Sequence, residues 1–276
     1  FSERFNQAQG RTMHGDSFPL EPVSKSRAKI IADLDRGSTR REHGLFRIEG
    51  WRALASAVAT RVRFEDVVVR DDALTPERIA VLRSADVRAV SSIRSKGMAQ
   101  LTSVVQDQGV VATAQMRLAS VTDAARGRRI LALDGVQDPG NVGTLIRTAA
   151  WFGIDAVIGD GATADFFNPK VVRATAGGIW DVGLVRSDDL SSALSTLKSQ
   201  GFACFGADLG QAESLNWHEA AKAVLVLGSE GHGLSDGIRA LLDGFVHVQG
   251  SRREPRGVES LNVASAGSIL LARWAG

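Results

Sequence analysis

The chain has 276 residues, which at about 150 residues per domain corresponds to one large domain or about two ordinary ones. A hydrophobic fraction of 44% can form a sizeable core and excludes a wholly disordered chain, and no run of apolar residues is long enough to predict a membrane span. A single cysteine, Cys204, excludes a disulfide framework and a zinc ribbon. The net charge of +2 is too small to indicate a polyanionic partner by itself.

Positive charge is concentrated in three segments of the chain. Residues 24–52 contain eight Lys or Arg against four Asp or Glu. The other two clusters consist of arginines in the middle of the chain and near its end: Arg117, Arg126, Arg128 and Arg129, then Arg252, Arg253 and Arg256. One basic cluster is typical of a solvated surface, but three in one chain favour a nucleic-acid phosphate backbone as the partner.

Segments typical of strands and helices alternate in the first half of the chain, which predicts a small α/β unit. The expected strands are Gly44–Ile48, Phe64–Val69, Val87–Val90 and Gly109–Met116, and the expected helices are Gly50–Thr60 and Pro76–Ser84. Thr75 precedes Pro76 and is the expected N-cap of the second helix. The polar, basic segment Ala119–Gly127 marks the expected boundary to a second unit.

The second half shows the same alternation and contains a strand of apolar residues alone, Ala223–Leu227, as expected for a parallel sheet covered on both faces. The other expected strands are Ile130–Asp134, Asp155–Gly159 and Phe202–Ala207. The expected helices are Asn141–Phe152, Pro169–Ala176, Asp188–Gln200 and Ser260–Ala275. The sequence therefore predicts an α/β fold with a parallel sheet in its C-terminal part.

Several common site patterns are absent from the sequence. It contains neither the phosphate-binding pattern G-x-x-x-x-G-K-[ST] nor the nucleophile pattern G-x-S-x-G. The run Gly159–Ala164 is similar to a dinucleotide fingerprint, but it continues into Asp165–Pro169 rather than into a helix, so we expect a loop. The five histidines lack the spacing typical of metal ligands, and no metal site is predicted.

Three segments rich in glycine, asparagine or serine are candidate sites, and the first is Leu133–Gly153. In it a strand ends, a Pro-Gly turn follows, and Asn141 begins a helix, where its simplest role is that of an N-cap. Arg147 lies six residues further on, about 9 Å along the helix axis. Either surface exposure or a functional role explains an arginine at that position.

The other two segments follow the apolar strand and open the last helix. Leu225–Ser235 carries three glycines around Glu230, which suits a ligand site at the carboxyl end of a strand, or a flexible connector before a helix. In Glu259–Leu271, the residues Ser260 and Asn262 begin an apolar helix, either as caps or as part of a site.

The three segments carry motifs that resemble the signatures of the SpoU (TrmH-type) branch of the SPOUT RNA methyltransferases. The motifs are D-P-G-N-x-G-x-x-x-R-T-A from Asp138, G-x-E-x-x-G-L-S from Gly228, and S-L-N-V from Ser260. Each motif alone is moderately specific, whereas all three in this order are highly specific. The resemblance covers residues 130–274 and includes the intervening segment Asn168–Gly177. Residues 46–50 and 108–112 are less specifically similar to the ribosomal-protein-like substrate-binding domain of the family.

The resemblance implies a 2′-O-ribose methyltransferase that acts on RNA with S-adenosylmethionine as its cofactor. It implies a trefoil-knotted methyltransferase domain over residues 127–276, a substrate-binding domain over residues 24–118, and a homodimer. General topology rules argue against a knot, so this expectation comes from the resemblance alone. The separate N-terminal domain favours rRNA over tRNA. We expect residues 1–23 to form a poorly ordered tail, and the location to be the cytoplasm, or an organelle if a leader has been removed.

The motifs assign the site residues, and the basic clusters assign the RNA contacts. The cofactor is expected to contact Gly228, Ser229, Glu230, Gly231, Val248, Leu261 and Asn262. The catalytic set is Asn141, Arg147, Glu230, Ser260 and Asn262. The expected RNA contacts are Arg27, Arg40, Arg41, Arg252, Arg253 and Arg256. The family usually has Ile-Pro where this chain has Val248-Gln249, and the basic loop 250–257 is longer than usual.

The chemistry sets clear requirements for these residues. A ribose hydroxyl is a poor nucleophile at neutral pH and the methyl donor is a sulfonium cation, so the enzyme must align the two and accept one proton. A guanidinium stays protonated, so we expect Arg147 to bind the RNA phosphate and to stabilise developing negative charge. Glu230, Ser260 and Asn262 then orient the hydroxyl and take the proton, while Asn141 positions Arg147 and the cofactor loop.

Three alternatives remain open: a tRNA 2′-O-methyltransferase, an RNA-binding protein of this fold that has lost catalysis, and a Rossmann-like oxidoreductase. The separate N-terminal domain argues against the first. The second is disfavoured by the complete set of motif residues: Asn141, Arg147, Glu230, Ser260 and Asn262. The lack of a glycine fingerprint after the first strand argues against the third.

Overall fold

The computed structural model describes residues 20–104, 106–214, 216–250 and 260–275, which form two six-stranded sheets. The strands of the first sheet are β1 (Glu21–Pro22), β2 (Leu45–Glu49), β3 (Arg63–Arg70), β4 (Asp86–Val87), β5 (Val90–Ile93) and β6 (Val110–Gln115). Their order is β1-β5-β3-β6-β2, with β4 also paired to β3, and β6 is antiparallel to both of its neighbours. The helices between them are α1 (Lys25–Asp33), α2 (Gly37–His43), α3 (Trp51–Ala59), α4 (Pro76–Ser84) and α5 (Ser95–Leu101).

The second sheet is wholly parallel and follows a short helix, α6 (Val121–Ala124). Its strands are β7 (Arg129–Asp134), β8 (Ala156–Gly159), β9 (Gly183–Arg186), β10 (Ala203–Ala207), β11 (Ala223–Gly228) and β12 (Gly244–Val246), in the order β12-β10-β11-β7-β8-β9. The helices are α7 (Pro139–Trp151), α8 (Pro169–Thr175), α9 (Leu190–Ser199), α10 (Asp236–Arg239) and α11 (Val263–Ala275), with single 3-10 turns at Gly178–Trp180 and Trp217–Glu219. Within the described ranges, none of the helices has the length and apolar character needed to cross a membrane.

The central strands β7 and β11 explain where the candidate site forms. Both consist mainly of buried apolar residues, because helices cover the sheet on both faces. They pair in parallel from Arg129 opposite Ala223 to Asp134 opposite Gly228. The two strands therefore end at the same level, and the loops after them leave the carboxyl edge side by side. The predicted parallel sheet is confirmed.

The start of α7 corrects the predicted cap. The helix begins at Pro139, and its N-cap is Asp138, whose side chain accepts a hydrogen bond of 2.8 Å from the backbone N–H of Asn141. The predicted N-cap role of Asn141 is therefore wrong. Because a carboxylate three residues earlier already satisfies this backbone group, the amide side chain of Asn141 is free to bond to other loops.

The last helix also begins later than predicted, at Val263 rather than Ser260. The Asn262 side-chain oxygen accepts hydrogen bonds from the backbone N–H groups of Ala264, at 3.0 Å, and Ser265, at 3.2 Å. Asn262 therefore caps the helix with its oxygen, as one interpretation of the sequence expected, and its amide nitrogen remains available.

The sequence patterns do not predict α1, α2, α5, β9 or β12. The helix α2 is almost entirely polar, and β9 and β12 have four and three residues, so none of these shows a clear hydrophobic period. The predicted strand Val87–Val90 is instead two strands, β4 and β5. The two strands pair in parallel with different parts of β3: β4 with Arg63 and Phe64, and β5 with the stretch from Val67 to Arg70.

The prediction that residues 1–23 form a poorly ordered tail is wrong for the last residues of that segment. The strand Glu21–Pro22 pairs in parallel with Ser91 and Ser92 at the edge of the first sheet. Residues 1–19 lie outside the described part of the chain. The predicted boundary segment Ala119–Gly127 contains the short helix α6, which Ser120 caps.

Two charged bridges join the first sheet region to the second. Arg40 in α2 is 3% exposed, and its Nη2 lies 2.5 Å from a carboxylate oxygen of Asp165. Arg173 in α8 places Nη1 3.3 Å from a carboxylate oxygen of Glu49 at the end of β2. Since Arg40 also donates to the backbone carbonyls of residues 34 and 35, the bridge to Asp165 is a fixed structural contact rather than a surface pair.

Candidate active site

A cavity of about 1020 Å³ opens at the carboxyl ends of β10 and β11. Residues after these strands, residues 247–250 and the start of α11 form its wall. Six of the predicted cofactor residues line it: Gly228, Ser229, Glu230, Val248, Leu261 and Asn262. The predicted catalytic residue Ser260 lines it as well, whereas Gly231 is exposed and lies outside the lining. The volume is ample for a nucleoside-containing ligand, since ligand pockets span about 300–1,000 Å³.

A chain of hydrogen bonds joins the three sequence motifs beside this cavity. The Nδ2 of Asn141 donates to Oε1 of Glu230. The Oδ1 of the same amide accepts a hydrogen bond of 3.1 Å from Nδ2 of Asn262. The first turn of α7, the loop after β11 and the cap of α11 are thereby held together, although 89 and 121 residues separate the bonded pairs in the chain.

A tight turn after β11 shapes the loop that carries Glu230. Ser229 and Gly233 exchange two backbone hydrogen bonds, of 3.0 and 2.9 Å. A Cβ added at Gly228 would lie 2.2 Å from the carbonyl carbon of Gly233, so no side chain fits there. Gly233 has φ +67, a conformation that favours glycine. The glycines of this motif are therefore required by the turn, which leaves Glu230 at its tip.

The last residue of β7 fixes the far end of the same loop. Asp134 is 9% exposed, and its carboxylate accepts a hydrogen bond of 2.7 Å from the backbone N–H of Ser235. A buried carboxylate needs such a partner, and the backbone N–H before α10 supplies it. Asp134 thus links the first motif segment to the second without lining the cavity.

Arg147 is not brought to the cavity within this chain. Its side chain is exposed on α7, outside the lining, and it has no hydrogen-bond or ion-pair partner among the described residues. The exposed residues Thr144 and Trp151 share this face of the helix. The neighbouring helix α11 is tied to α7 by a 3.1 Å contact between the hydroxyls of Thr148 and Ser268.

The predicted RNA contacts divide into different environments. Arg40 is buried in the bridge to Asp165, which excludes direct contact of its guanidinium with RNA and corrects that prediction. Arg27 makes a bidentate ion pair with Asp66, so its charge is largely compensated, while Arg41 is exposed. The predicted contacts in the last basic cluster lie outside the described residues: Arg252, Arg253 and Arg256.

Three polar residues of the cavity wall were not predicted: Asp208, Arg239 and His247. Asp208 follows β10 directly and pairs with Arg239 at 2.5 Å. Its position after a parallel strand is the signal that could have identified it, as for Glu230 after β11. Nδ1 of His247 is buried and has no partner among the described residues. Such a group is expected to gain a partner when a ligand fills the cavity.

The residues present fit S-adenosylmethionine. Apolar side chains such as Leu227, Val248 and Leu270 would offer a surface for an adenine ring, and the carboxylate of Glu230 would offset the charge of a sulfonium. Val248 and Gln249, where the family usually has Ile-Pro, both line the cavity. Among the residues that the structure describes, no His, Cys, Asp and Glu side chains cluster to hold a metal ion.

Fold and site together define an α/β protein with a nucleoside-sized cavity at the carboxyl edge of a parallel sheet, accompanied by a second, mixed sheet from the N-terminal part of the chain. Residues 128–272 match the model of the SpoU rRNA Methylase family, and residues 25–112 match the MRM3-like substrate binding domain. The chain belongs to the SpoU rRNA methylase family.

Named relatives match most of the chain. A 23S rRNA (guanosine(2553)-2′-O)-methyltransferase of Bacillus subtilis is 29% identical over 91% of this chain and 97% of its own length. A 23S rRNA (guanosine-2′-O-)-methyltransferase of Xanthomonas campestris is 33% identical over 81% of this chain and 93% of its own. An AdoMet-bound rRNA methyltransferase structure from Sinorhizobium meliloti superposes with a TM-score of 0.80, at 24% identity, over 92% of this chain and 96% of that one, which shows the shared fold.

Proposed function

We propose that this protein transfers a methyl group from S-adenosylmethionine to the 2′-hydroxyl of a ribose in 23S rRNA. The observation that carries the proposal is the hydrogen-bonded chain from Glu230 through Asn141 to Asn262, beside a cavity of sufficient size for the cofactor. Family membership and the names of the relatives support the type of reaction.

The choice of rRNA rests on the extent of the match. Both bacterial relatives named as 23S rRNA enzymes align with more than four-fifths of this chain, and residues 25–112 match a substrate binding domain. A reaction at a ribose hydroxyl requires the protein to hold one nucleotide of a long RNA in place, and a separate binding unit serves that purpose.

The roles of the cavity residues follow from their chemistry. S-adenosylmethionine, when bound, supplies the methyl group from its sulfonium. Oε1 of Glu230 is engaged by Asn141, which leaves Oε2 free to accept a hydrogen bond from the ribose hydroxyl. Ser260 and Asn262 orient this hydroxyl in line with the methyl group, and Glu230 takes its proton as the new C–O bond forms.

Arg147 performs its predicted role in this proposal only in a homodimer. It lies outside its own cavity, between Thr144 and Trp151 on one face of α7. Trp151 is 83% exposed and Ile269 on the adjoining helix is 41% exposed, so the two helices present an uncovered apolar face. A second copy packed on this face covers Trp151 and brings Arg147 close to the partner's cavity, where it binds the RNA phosphate.

The trefoil knot belongs to the same proposal. Strand β11 lies between β10 and β7, and residues 247–250 line one cavity together with residues 260–262. The chain after β12 therefore lies beside the loop after β11, and this proximity supports the proposed knot.

Methyl transfer with purified components tests the function. The protein is incubated with radiolabelled S-adenosylmethionine and an unmodified 23S rRNA transcript, a 16S rRNA transcript or unmodified tRNA, and the methylated position is mapped by its resistance to alkaline cleavage. We expect one 2′-O-methylated nucleotide in 23S rRNA. Methylation of tRNA alone would overturn the rRNA assignment, and no methylation of any RNA despite cofactor binding would overturn the enzymatic one. Glu230→Gln serves as the inactive control.

A further inference from the structure

A second cavity, of about 390 Å³, lies between the two sheets and is called the junction cleft here. Its wall contains the start of β3, the end of β6, the linker after β6 and the start of β9. Gly183 at the start of β9 is aligned with Ala156 and Ile130, at the amino edge of the parallel sheet. The cofactor cavity lies at the carboxyl edge, and strands of four to six residues separate the two edges by roughly 13–20 Å.

The inner wall of the junction cleft is aromatic. Phe46 from the first sheet lies 4.8 Å from Phe167 and 5.6 Å from Trp180, measured between ring centroids. Trp180 is partly exposed, and its Nε1 is buried without a partner among the described residues. Leu118 in the linker is 49% exposed beside it. The wall therefore offers an accessible indole and an apolar side chain to a flat ligand.

Three exposed arginines form the rim of the junction cleft: Arg61, Arg63 and Arg117. Within the described ranges, none of the three forms an ion pair with a carboxylate. Arg27 and Arg40 of the first basic cluster, in contrast, are both paired with aspartates. The rim of the junction cleft therefore carries three arginines whose charge is not compensated by an ion pair, unlike that of Arg27 and Arg40.

We propose that the junction cleft binds one single-stranded nucleotide of the substrate RNA, remote from the methylated one. Its base lies against Trp180 and Leu118, and its phosphates face Arg61, Arg63 and Arg117. Aromatic side chains beside an arginine-rich groove are the usual composition of single-strand binding sites. The volume is close to the lower limit of small-ligand pockets, which suits one nucleotide rather than a helix. The identity of the ligand as RNA rests on the proposed function.

Salt dependence of RNA binding tests the three arginines together. The triple variant Arg61→Gln, Arg63→Gln, Arg117→Gln keeps side-chain length and removes three charges. Each lost phosphate contact to a single strand lowers the slope of log Kobs against log salt by about 0.7, so the slope for an unmodified 23S rRNA transcript is expected to fall by about 2. Calorimetric titration with S-adenosylmethionine is expected to be unchanged, which shows that the variant is folded.

A control removes positive charge at the other end of the first sheet, outside the basic cluster of residues 24–52. Arg94 and Lys96 follow β5, whose end pairs with the end of β3 opposite to Arg63. Changing both residues to glutamine is expected to leave the slope nearly unchanged, whereas the double variant Arg61→Gln, Arg63→Gln removes the same charge and is expected to lower it by about 1.4. An equal loss of slope in the control, or no loss in the cleft variant, overturns the proposal.

Photocrosslinking tests the position of the base. A benzoylphenylalanine at position 118, in place of Leu118, is expected to crosslink to a discrete nucleotide of the 23S rRNA transcript. Trp180→Phe is expected to retain transcript affinity within about twofold, whereas Trp180→Ala weakens binding at least about fivefold through loss of stacking. Absence of a crosslink together with unchanged affinity of Trp180→Ala overturns the proposal.

The outcomes separate this site from the proposed function. If the cleft variants bind the transcript normally but methylate ribosomal particles more slowly, the cleft contacts a protein, and the RNA proposal is wrong. If the wild type binds the transcript through the cleft but transfers no methyl group, the enzymatic function fails and the cleft proposal stands.

Discussion

The amide of Asn141 connects the first motif to the other two, and Asn141→Asp is the most direct perturbation of that connection. The variant keeps the size and shape of the side chain. In the wild type, Nδ2 donates to Glu230 while Oδ1 accepts from Asn262. In the variant, a carboxylate oxygen replaces Nδ2 and faces the carboxylate of Glu230.

Two energy terms determine the expected loss of activity in Asn141→Asp. The exposed hydrogen bond to a carboxylate contributes about 1 kcal/mol. Two like charges about 3 Å apart repel by about 1.4 kcal/mol in a water-like dielectric, which applies because both side chains are solvent-accessible. Together the two terms raise the free energy of holding Glu230 in its active position by about 2.4 kcal/mol. This cost corresponds to a fall in kcat/KM of about 60-fold. Asn141→Ala removes only the hydrogen bond and is expected to cost about fivefold.

The assay is methyl transfer to the 23S rRNA transcript under single-turnover and steady-state conditions, with thermal denaturation as the control for folding. The sharp expectation is the order of the variants: Asn141→Asp is about tenfold worse than Asn141→Ala, and both unfold near the wild-type temperature. The reasoning is refuted if Asn141→Asp retains activity within twofold of the wild type. It is also refuted if the two variants are equally active, since repulsion with Glu230 would then be absent.

Three further predictions concern the active site and the core. Arg147→Lys is expected to keep the fold and the affinity for S-adenosylmethionine but to lose most methyl transfer, because a point charge replaces a planar fork; near-native turnover would contradict its role. Gly228→Ala is expected to weaken cofactor binding at least tenfold in calorimetry, because its Cβ would lie 2.2 Å from the backbone of Gly233, whereas Gly161→Ala, with open space around it, should bind normally. Burial raises the pKa of Cys204 to about 11, so iodoacetamide at about pH 8 should alkylate the unfolded chain much faster than the folded one, and rapid labelling of folded protein would count against that burial.

The local hydrophobic pattern predicted the central strands because a buried strand requires apolar residues, and these residues form the pattern. The apolar segment Ala223–Leu227 lies within β11, flanked by strands on both sides and covered on both faces, so an apolar residue is favoured at every position. The same logic fails for α2, where Arg40 is buried although it is charged. Its burial depends on Asp165, which is 125 residues away, and no pattern within α2 contains that information.

The site shows the same division between local and distant information. Glycines around an acid after the apolar strand favoured a ligand loop there, since ligands bind at the carboxyl ends of parallel strands, whereas the resemblance to the SpoU family implied that the three motif segments meet. The N-cap interpretation of Asn141 was wrong because Asp138 and Asn141 both precede an apolar helix, and local sequence favours either one as the cap. Only the partners on other loops, Glu230 and Asn262, distinguish a cap from a link between motifs.

The ion pairs between the two sheets affect which nucleotide of the RNA reaches the active site. Arg40 is buried in its contact with Asp165, and Arg173 bonds to Glu49, so the first sheet is held to the second by charged contacts on two different helices. Removing one partner of the buried bridge leaves an uncompensated charge, which is strongly destabilising. The separation between any RNA contact on the first sheet and the cofactor cavity is therefore set by the fold rather than by a flexible linker. When an RNA is bound at the junction cleft, Glu230 meets only nucleotides whose distance from the bound nucleotide equals the distance from the cleft to the cofactor cavity. This rigid spacing restricts which ribose is methylated, in addition to any base contacts.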